Sequence, residues 1–392
     1  MLFFEKTSSH NSDMKKSSLF INYFGVPGGA ERRFSRVFNN ITQHDASLLL
    51  VINAQGSEAL RTANIDTISP DTREINSSPK NRDGIAVKIL TLIKLWKIIL
   101  SERIKHVHYP VDASIFTYAH SFLSKITGVT YSLSIVDSNR SSKKYFSRIK
   151  LHIWSRSIAK ASRLDILSNG ILKNLQGIFP HIPPYEISPC SFTDYSQSKN
   201  SENKYFDLVL MSRLCEGKGF NLFFEALTKI KESNQSDIIR KIGIFGKGPL
   251  QDHLEHLIQN YPEFDIDLDH TQDPFDIFSK TKIFLSLQDN ENYPSQSILE
   301  AMSCGAIVIA TDVGETHRLV PDGIGYRVPP EPAALASQIS LALQKYNRDE
   351  INTDISTNFV KQNHTIDIFS KYFLNFLRSA SLPVVKRQKN DL

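Results

Sequence analysis

The chain of 392 residues is poor in cysteine, and its three thiols, Cys190, Cys215 and Cys304, stand far apart with no metal-ligand spacing. That excludes a disulfide framework and a cysteine zinc site, and it suits a reducing compartment. Long apolar runs are also lacking. The greasiest stretch, residues 86–100, is broken by Lys88, Lys94 and Lys97, and it falls short of the roughly twenty residues that a bilayer crossing requires. It predicts a packed helix. The apolar start at residues 1–4 meets Glu5 and Lys6, too early for a secretory signal. A cytoplasmic location is therefore expected, with a peripheral seat on the inner face of a membrane as its variant. There is no long repeat and no low-complexity tract. Hydrophobic residues at 41% against 22% charged give no compositional case for disorder. The length exceeds one ordinary core, so two domains are expected.

The net charge of +5 hides an imbalance. Residues 1–190 hold 25 Lys+Arg against 14 Asp+Glu, whereas the remainder holds 21 against 27. Between 138 and 164 lie Arg140, Lys143, Lys144, Arg148, Lys150, Arg156, Lys160 and Arg163, with no acid among them. A solvated helix face explains such a run. So does a surface resting on anionic lipid, where each basic residue adds about 1 kcal/mol. Nucleic acid is not expected as a partner, because aromatic interleaving is thin and no nucleic-acid motif is present.

The first part of the chain alternates strand and helix patterns. An apolar strand at 19–24 runs into the turn Gly25-Val26-Pro27-Gly28-Gly29 and a helix at 30–42, which is how a doubly wound domain begins. Strands at 47–52, 106–109, 130–136 and 165–167 then alternate with helices at 86–100, 114–127 and 146–161. The alternation predicts a parallel sheet covered on both faces. It restarts after a polar stretch, with strands at 207–211, 242–245, 266–268, 283–287 and 307–310 and helices at 220–231, 250–260 and 297–303. The expected division is an N-terminal domain over 1–190, a linker over 191–204, a second domain over 205–364, a final helix over 365–382 and a loose tail over 383–392. In that final helix Ile366, Phe369, Phe373, Phe376, Leu377 and Ala380 recur at three and four residues, so one apolar stripe seeks a partner.

Two stretches concentrate the chemistry. Just after the strand at 207–211, Arg213 and Lys218 stand five residues apart, ahead of Gly219 and a helix. A planar guanidinium and a mobile ammonium in a strand-to-helix loop suit a diphosphate. Further on, Glu291-Asn292-Tyr293-Pro294 leads into a helix, marked by Pro294 and Ser295, that carries Glu300. A carboxylate offers two acceptor oxygens to the hydroxyls of a ribose.

Both stretches resemble the donor half of the GT-B glycosyltransferases, specifically the retaining family 4 (glycosyl transferases group 1). The likeness is strong over 206–328 and architectural over 19–190. It implies two Rossmann-like doubly wound α/β domains facing across a cleft, with the C-terminal helix crossing back to the first. It implies transfer of a sugar from a nucleotide-diphosphate sugar to a lipid-linked or polysaccharide acceptor with retention of anomeric configuration, as in bacterial capsule, O-antigen or lipopolysaccharide assembly. No metal or other cofactor is expected. Under this resemblance Arg213 and Lys218 steady the departing diphosphate. Glu300 holds the ribose, with Ser297, Ile298 and Leu299 in the donor-binding set. The first acidic position of the family falls on Glu291 when counted from the Glu-x-x-Pro start, and on Asn292 when counted back from Glu300.

Gly28 and Gly29 resemble the loop that nears the donor phosphates, since a residue without Cβ lets backbone N–H groups come close; a simple tight turn would look the same. Gly246, Gly248 and Pro249 fit the loop beside the base, and fit a plain strand-helix turn too. Val136 stands where many members have histidine, so either Asp137 takes a related catalytic role or the acceptor chemistry differs. His106, His108 and Tyr109 either line the acceptor side or serve as satisfied structural residues. Asp265, Asp267 and Asp269 read as edge decoration. Two other functions fit the same clamp: a nucleotide-sugar epimerase on this fold, and a non-catalytic nucleotide-sugar-binding protein.

Overall fold

The structure, a computed structural model, describes residues 18–22, 29–42, 48–53, 72–75, 85–110, 115–136, 148–179 and 181–381. The chain divides into two compact units: Met1–Leu167, Ile171–Ile187 and Phe373–Leu392 form the first, and Ser168–Gly170 and Ser188–Tyr372 the second. The stretch expected as a linker falls within the second unit. Phe192 packs on Phe369 with ring centroids 5.1 Å apart, and Thr193 N donates to His364 O at 2.8 Å.

The first unit contains strands β1 (Ser18–Asn22), β2 (Leu48–Asn53), β3 (Thr72–Ile75), β4 (His106–Tyr109), β5 (Thr130–Ile135), β6 (Arg163–Ile166) and β7 (Tyr185–Ile187). Its helices are α1 (Gly29–Thr42), α2 (Ile85–Ser101), α3 (Ile115–Thr127), α4 (Arg148–Ala159) and α5 (Asn169–Ile178). The strands form one parallel sheet in the order β3-β2-β1-β4-β5-β6-β7. The two strands that the sequence pattern does not signal, β3 and β7, are its edges. Their sequences, Thr-Arg-Glu-Ile and Tyr-Glu-Ile, are short and charged, as edges tend to be, so no apolar run marks them.

A hydrogen-bonded ladder crosses the middle of this sheet. His106 Nδ1 meets Thr130 Oγ1 at 2.9 Å and its Nε2 meets Ser132 Oγ at 2.8 Å. Ser132 Oγ also meets His108 Nδ1 at 2.8 Å, and His108 Nε2 meets Ser134 Oγ at 3.1 Å. Ser134 donates to Asp165 Oδ2 at 2.6 Å. A carboxylate accepts only, so its demand sets the direction of every link: each serine donates toward Asp165, and both histidines carry their proton on Nε2. Burial holds His106 down at about 3, helped by His120, and holds His108 well below the ordinary value. On the other face Tyr109 Oη pairs with His120 Nδ1 at 2.9 Å, and burial raises the Tyr109 phenol. This corrects the acceptor-side reading. His106, His108 and Tyr109 are buried and partnered, because the two histidines of β4 face Thr130 and Ser132 of β5 in register and Tyr109 meets His120 on the other face.

The second unit contains β8 (Phe206–Met211), β9 (Lys241–Phe245), β10 (Asp265–Asp269), β11 (Thr281–Ser286), β12 (Ile307–Thr311) and β13 (Tyr326–Val328). Its helices are α6 (Phe220–Glu232), α7 (Gln251–Ile258), α8 (Pro274–Ser279), α9 (Gln296–Ser303), α10 (Pro332–Asn347) and α11 (Asp354–Asn363). The sheet is again parallel, in the order β10-β9-β8-β11-β12-β13. Central strands buried on both faces need continuous apolar runs, and Leu208-Val209-Leu210, Ile283-Phe284-Leu285 and Val308-Ile309-Ala310 supply them. Strand order reverses between β8 and β11, and ligands of such sheets bind beyond the carboxyl ends of the strands at that point. At the edge, Lys241 pairs with Asp265 at 2.9 Å and Asp267 at 2.7 Å, so those carboxylates serve the strand pair. Among the described residues no cluster of His, Cys, Asp or Glu is placed to hold a metal ion.

The last helix, α12 (Ile366–Ser381), begins in the second unit and ends in the first. Its stripe is explained by what it covers. Phe373 packs 5.6 Å from Phe34 of α1 and 5.1 Å from His108, and Phe376 lies 5.8 Å from His108.

Candidate active site

The loops that leave β8 and β11 enclose a cavity of about 430 Å³ at the reversal point. The first loop contributes Arg213, Cys215 and Lys218. The second contributes Gln288, Glu291, Asn292, Tyr293 and Pro294, and the start of α9 adds Ser295 and Ser297.

Glycine shapes the first loop. Gly219 caps α6 with φ +70, and a Cβ there would overlap the Leu287 carbonyl, so the loop must approach its neighbour without a side chain. Gly246 and Gly248 serve the same loop from behind: a Cβ at either would overlap the carbonyl oxygen of Ser212 or Leu214. Leu214 N donates to Lys247 O at 3.1 Å, and Leu250 N to Leu214 O at 3.0 Å. These glycines are therefore required by backbone contact. Neither they nor the exposed Pro249 lines the cavity, and their role is to back the turn that presents Arg213.

Arg213 is exposed, and its guanidinium has no hydrogen-bond or ion-pair partner among the described residues. Lys218 is half-buried, and its Nζ donates to Gln288 Oε1 at 2.6 Å. Gln288 is itself held, its N and O both bonded to Thr311 Oγ1 at 3.0 and 2.7 Å. Burial lowers the Lys218 ammonium below its ordinary 10.5; Cys215 and Asp289 oppose that shift and Arg213 adds to it. The pair thus places two cations at one wall, one preset by an amide and one free to swing.

Glu291 and Asn292 divide their duties. Glu291 Oε1 accepts from the N–H groups of Asn292, Tyr293 and Glu315 at 3.1, 3.0 and 2.9 Å. A Cβ on Gly314, whose φ is +54, would overlap this carboxylate. Oε2 has no hydrogen-bond partner among the described residues, so one oxygen is committed to the loop and the other is not. Asn292 is 4% exposed, and both ends of its amide are taken by Ser286: Nδ2 donates to Ser286 O at 3.0 Å and Oδ1 accepts from Ser286 Oγ at 3.1 Å. Arg318 completes the loop's support. Its guanidinium lies 4.2 Å from the Tyr293 ring centroid and bonds Glu315 Oε2 at 2.6 Å.

Helix α9 starts at the cavity wall. Ser295 caps it by accepting from Ile298 N at 3.4 Å, and the positive end of the helix favours an anion there. Ile298 and Leu299 are fully buried, which corrects their place in the donor-binding set: their side chains anchor the helix in the core. Glu300 is half-buried one turn beyond Ser297 and is not part of the cavity lining. Gly29 opens α1, while Gly28 and Asp137 lie outside the described residues. Sequence reasoning missed Gln288, whose position after a buried strand at the reversal point was the available signal.

Residues 205–345 match the family described as Glycosyl transferases group 1. Among solved structures, HepE from Anabaena bound to UDP is similar at TM-score 0.70 and 16% identity, covering 93% of this chain and 100% of that one. The chain has the GT-B fold. Its second unit accordingly carries the matched group 1 region of this GT-B protein. Sucrose-phosphate synthase from Thermosynechococcus elongatus is similar at TM-score 0.71 and 14% identity, covering 93% and 98%. The gpi3 subunit of phosphatidylinositol N-acetylglucosaminyltransferase from Schizosaccharomyces pombe is 29% identical over 177 residues, 44% of this chain. The chain spans 38% of the length of that curated relative.

Proposed function

We propose that this GT-B protein transfers a glycosyl group from a nucleoside-diphosphate sugar to a lipid-linked or polysaccharide acceptor, with retention of configuration and without a metal. The observation that carries the reading is the single cavity where Arg213, Lys218 and the start of α9 meet the Glu291 carboxylate. As the anomeric C–O bond breaks, negative charge gathers on the departing diphosphate. Arg213 forks onto its oxygens, the Lys218 ammonium neutralises it from the same wall, and the N-terminus of α9 adds its dipole. Preorganised donors of this kind are worth about 2.7 to 4 kcal/mol each. Glu291 Oε2 holds hydroxyls of the sugar while its carboxylate charge supports the cationic ring. Glu300 is assigned to the ribose by its place in the motif.

A uridine donor is favoured by HepE, which is described with UDP and with UDP-glucose. The fission-yeast relative is named for phosphatidylinositol, which supports a membrane-lipid acceptor alongside bacterial surface polysaccharide. The test is incubation with UDP-sugars, with and without lipid-linked acceptors, followed by NMR of the product's anomeric centre. A new glycoside with the donor's configuration supports the proposal. An isomerised donor sugar without acceptor would indicate the epimerase, and tight donor binding with no turnover would indicate the sensor.

A further inference from the structure

The first unit leaves one helical surface with an unusual makeup. Eight of the thirteen large apolar side chains exposed among the described residues lie on α2, α3 and α4. Ile126 is 82% exposed, Ile149 75% and Ile93 60%. The three helices are neighbours: Trp96 of α2 packs on His120 of α3 at 5.0 Å, and Arg156 of α4 lies 3.6 Å from the Phe122 ring of α3.

Helical geometry puts the exposed groups on the outward side. In α2 the inward positions are Thr91, Leu95, Trp96 and Ile99, all buried, so Leu90, Ile93, Lys97 and Leu100 form the opposite stripe. In α3 Thr117, His120 and Ser121 face inward and Phe122, Lys125 and Ile126 outward. None of the three helices contains Asp or Glu. Exposed Lys94, Lys97, Lys125 and Lys150 are interspersed with the apolar groups.

We propose that this face of α2, α3 and α4 seats the protein on a phospholipid bilayer with anionic headgroups, the lysines meeting phosphates while Ile93, Ile126 and Ile149 enter the acyl boundary. This inference refines where the basic half of the chain meets a membrane and does not depend on the donor chemistry. The mix of long apolar and basic groups without acids is the pattern of an interfacial surface. A second copy is the weaker occupant, since a two-fold contact would bring the lysines of both copies together on helices that contain no acid. No helix among the described residues is long and apolar enough to cross a membrane, and α2 has its inner stripe committed to the core, so a surface seat is the geometry available.

The test is flotation of the full chain with vesicles of phosphatidylcholine alone and of equal parts phosphatidylcholine and phosphatidylglycerol. The protein should float only with the anionic vesicles and less so in high salt. The I93S/I126S double variant should lose about tenfold or more in partitioning, and Lys94→Ala with Lys125→Ala should lose the dependence on anionic lipid. UDP binding, measured in parallel, should be unchanged in both variants, which reports that they fold and separates this proposal from the catalytic one. Equal flotation of wild type and I93S/I126S, or no flotation at all, would overturn it. Concentration-dependent dimerisation abolished by I93S/I126S would overturn it in favour of a second copy.

Discussion

At the scale of single residues, the cavity rests on a division of labour between groups that are fixed and groups that are free. Lys218 is fixed by Gln288, and its lowered pKa means that its charge is lost at a lower pH than an ordinary lysine loses its own. Donor affinity should therefore weaken as pH rises toward 10.5, and Lys218→Arg, which stays protonated, should remove that alkaline loss; affinity titrations across pH check it. Glu291 and Asn292 should separate cleanly. Glu291→Gln retains an acceptor for the loop N–H groups but removes the charge, so kcat should fall by about tenfold or more while UDP affinity stays near wild type. Asn292→Ala strands Ser286 in the interior and should instead cost about 1–3 kcal/mol of stability, read from denaturant unfolding.

At the scale of elements, the ladder through β4, β5 and β6 fixes register as well as stability. Ser132 serves both histidines, so Ser132→Ala leaves two buried ring nitrogens unpaired and should cost about 2–4 kcal/mol, measurable by urea denaturation. Much of the fold was legible in the sequence: the strand with Arg213 after it, the helix carrying Glu300, and the apolar stripe of α12 all follow from periodicity and capping. The edge strands β3 and β7 were not, because pairing on one side removes the need for apolar residues. Arg213 and Lys218 could be found because charged residues after a buried strand are conspicuous. The double duty of Glu291 could not, because it depends on Gly314 and Glu315, brought in from the loop beyond β12. The histidines of β4 misled for a related reason. Their partners are serines on the adjacent strand, visible only once the register is known.

At the scale of the whole molecule, buried neutral histidines make the chain acid-sensitive. Unfolded histidines protonate near 6.5, whereas burial holds His106 at about 3 and His120 at about 4. Between these values the unfolded state binds more protons, so stability is full above about 6.5 and falls as pH drops, by up to about 1.4 kcal/mol per pH unit for each histidine. The urea midpoint at about pH 5 should lie well below that near neutrality, and a flat profile would contradict the burial. The parallel sheets place the reversal point of the second unit where Arg213, Lys218 and α9 converge, and a nucleoside diphosphate held there is the claim on which the proposed activity depends. Isothermal titration of UDP into wild type and the R213A/K218A variant tests it most directly. Wild type should bind, and the variant should lose at least about a hundredfold, as expected for two charge-assisted contacts of about 1.5–3 kcal/mol each. Equal affinity in the two proteins would contradict the account.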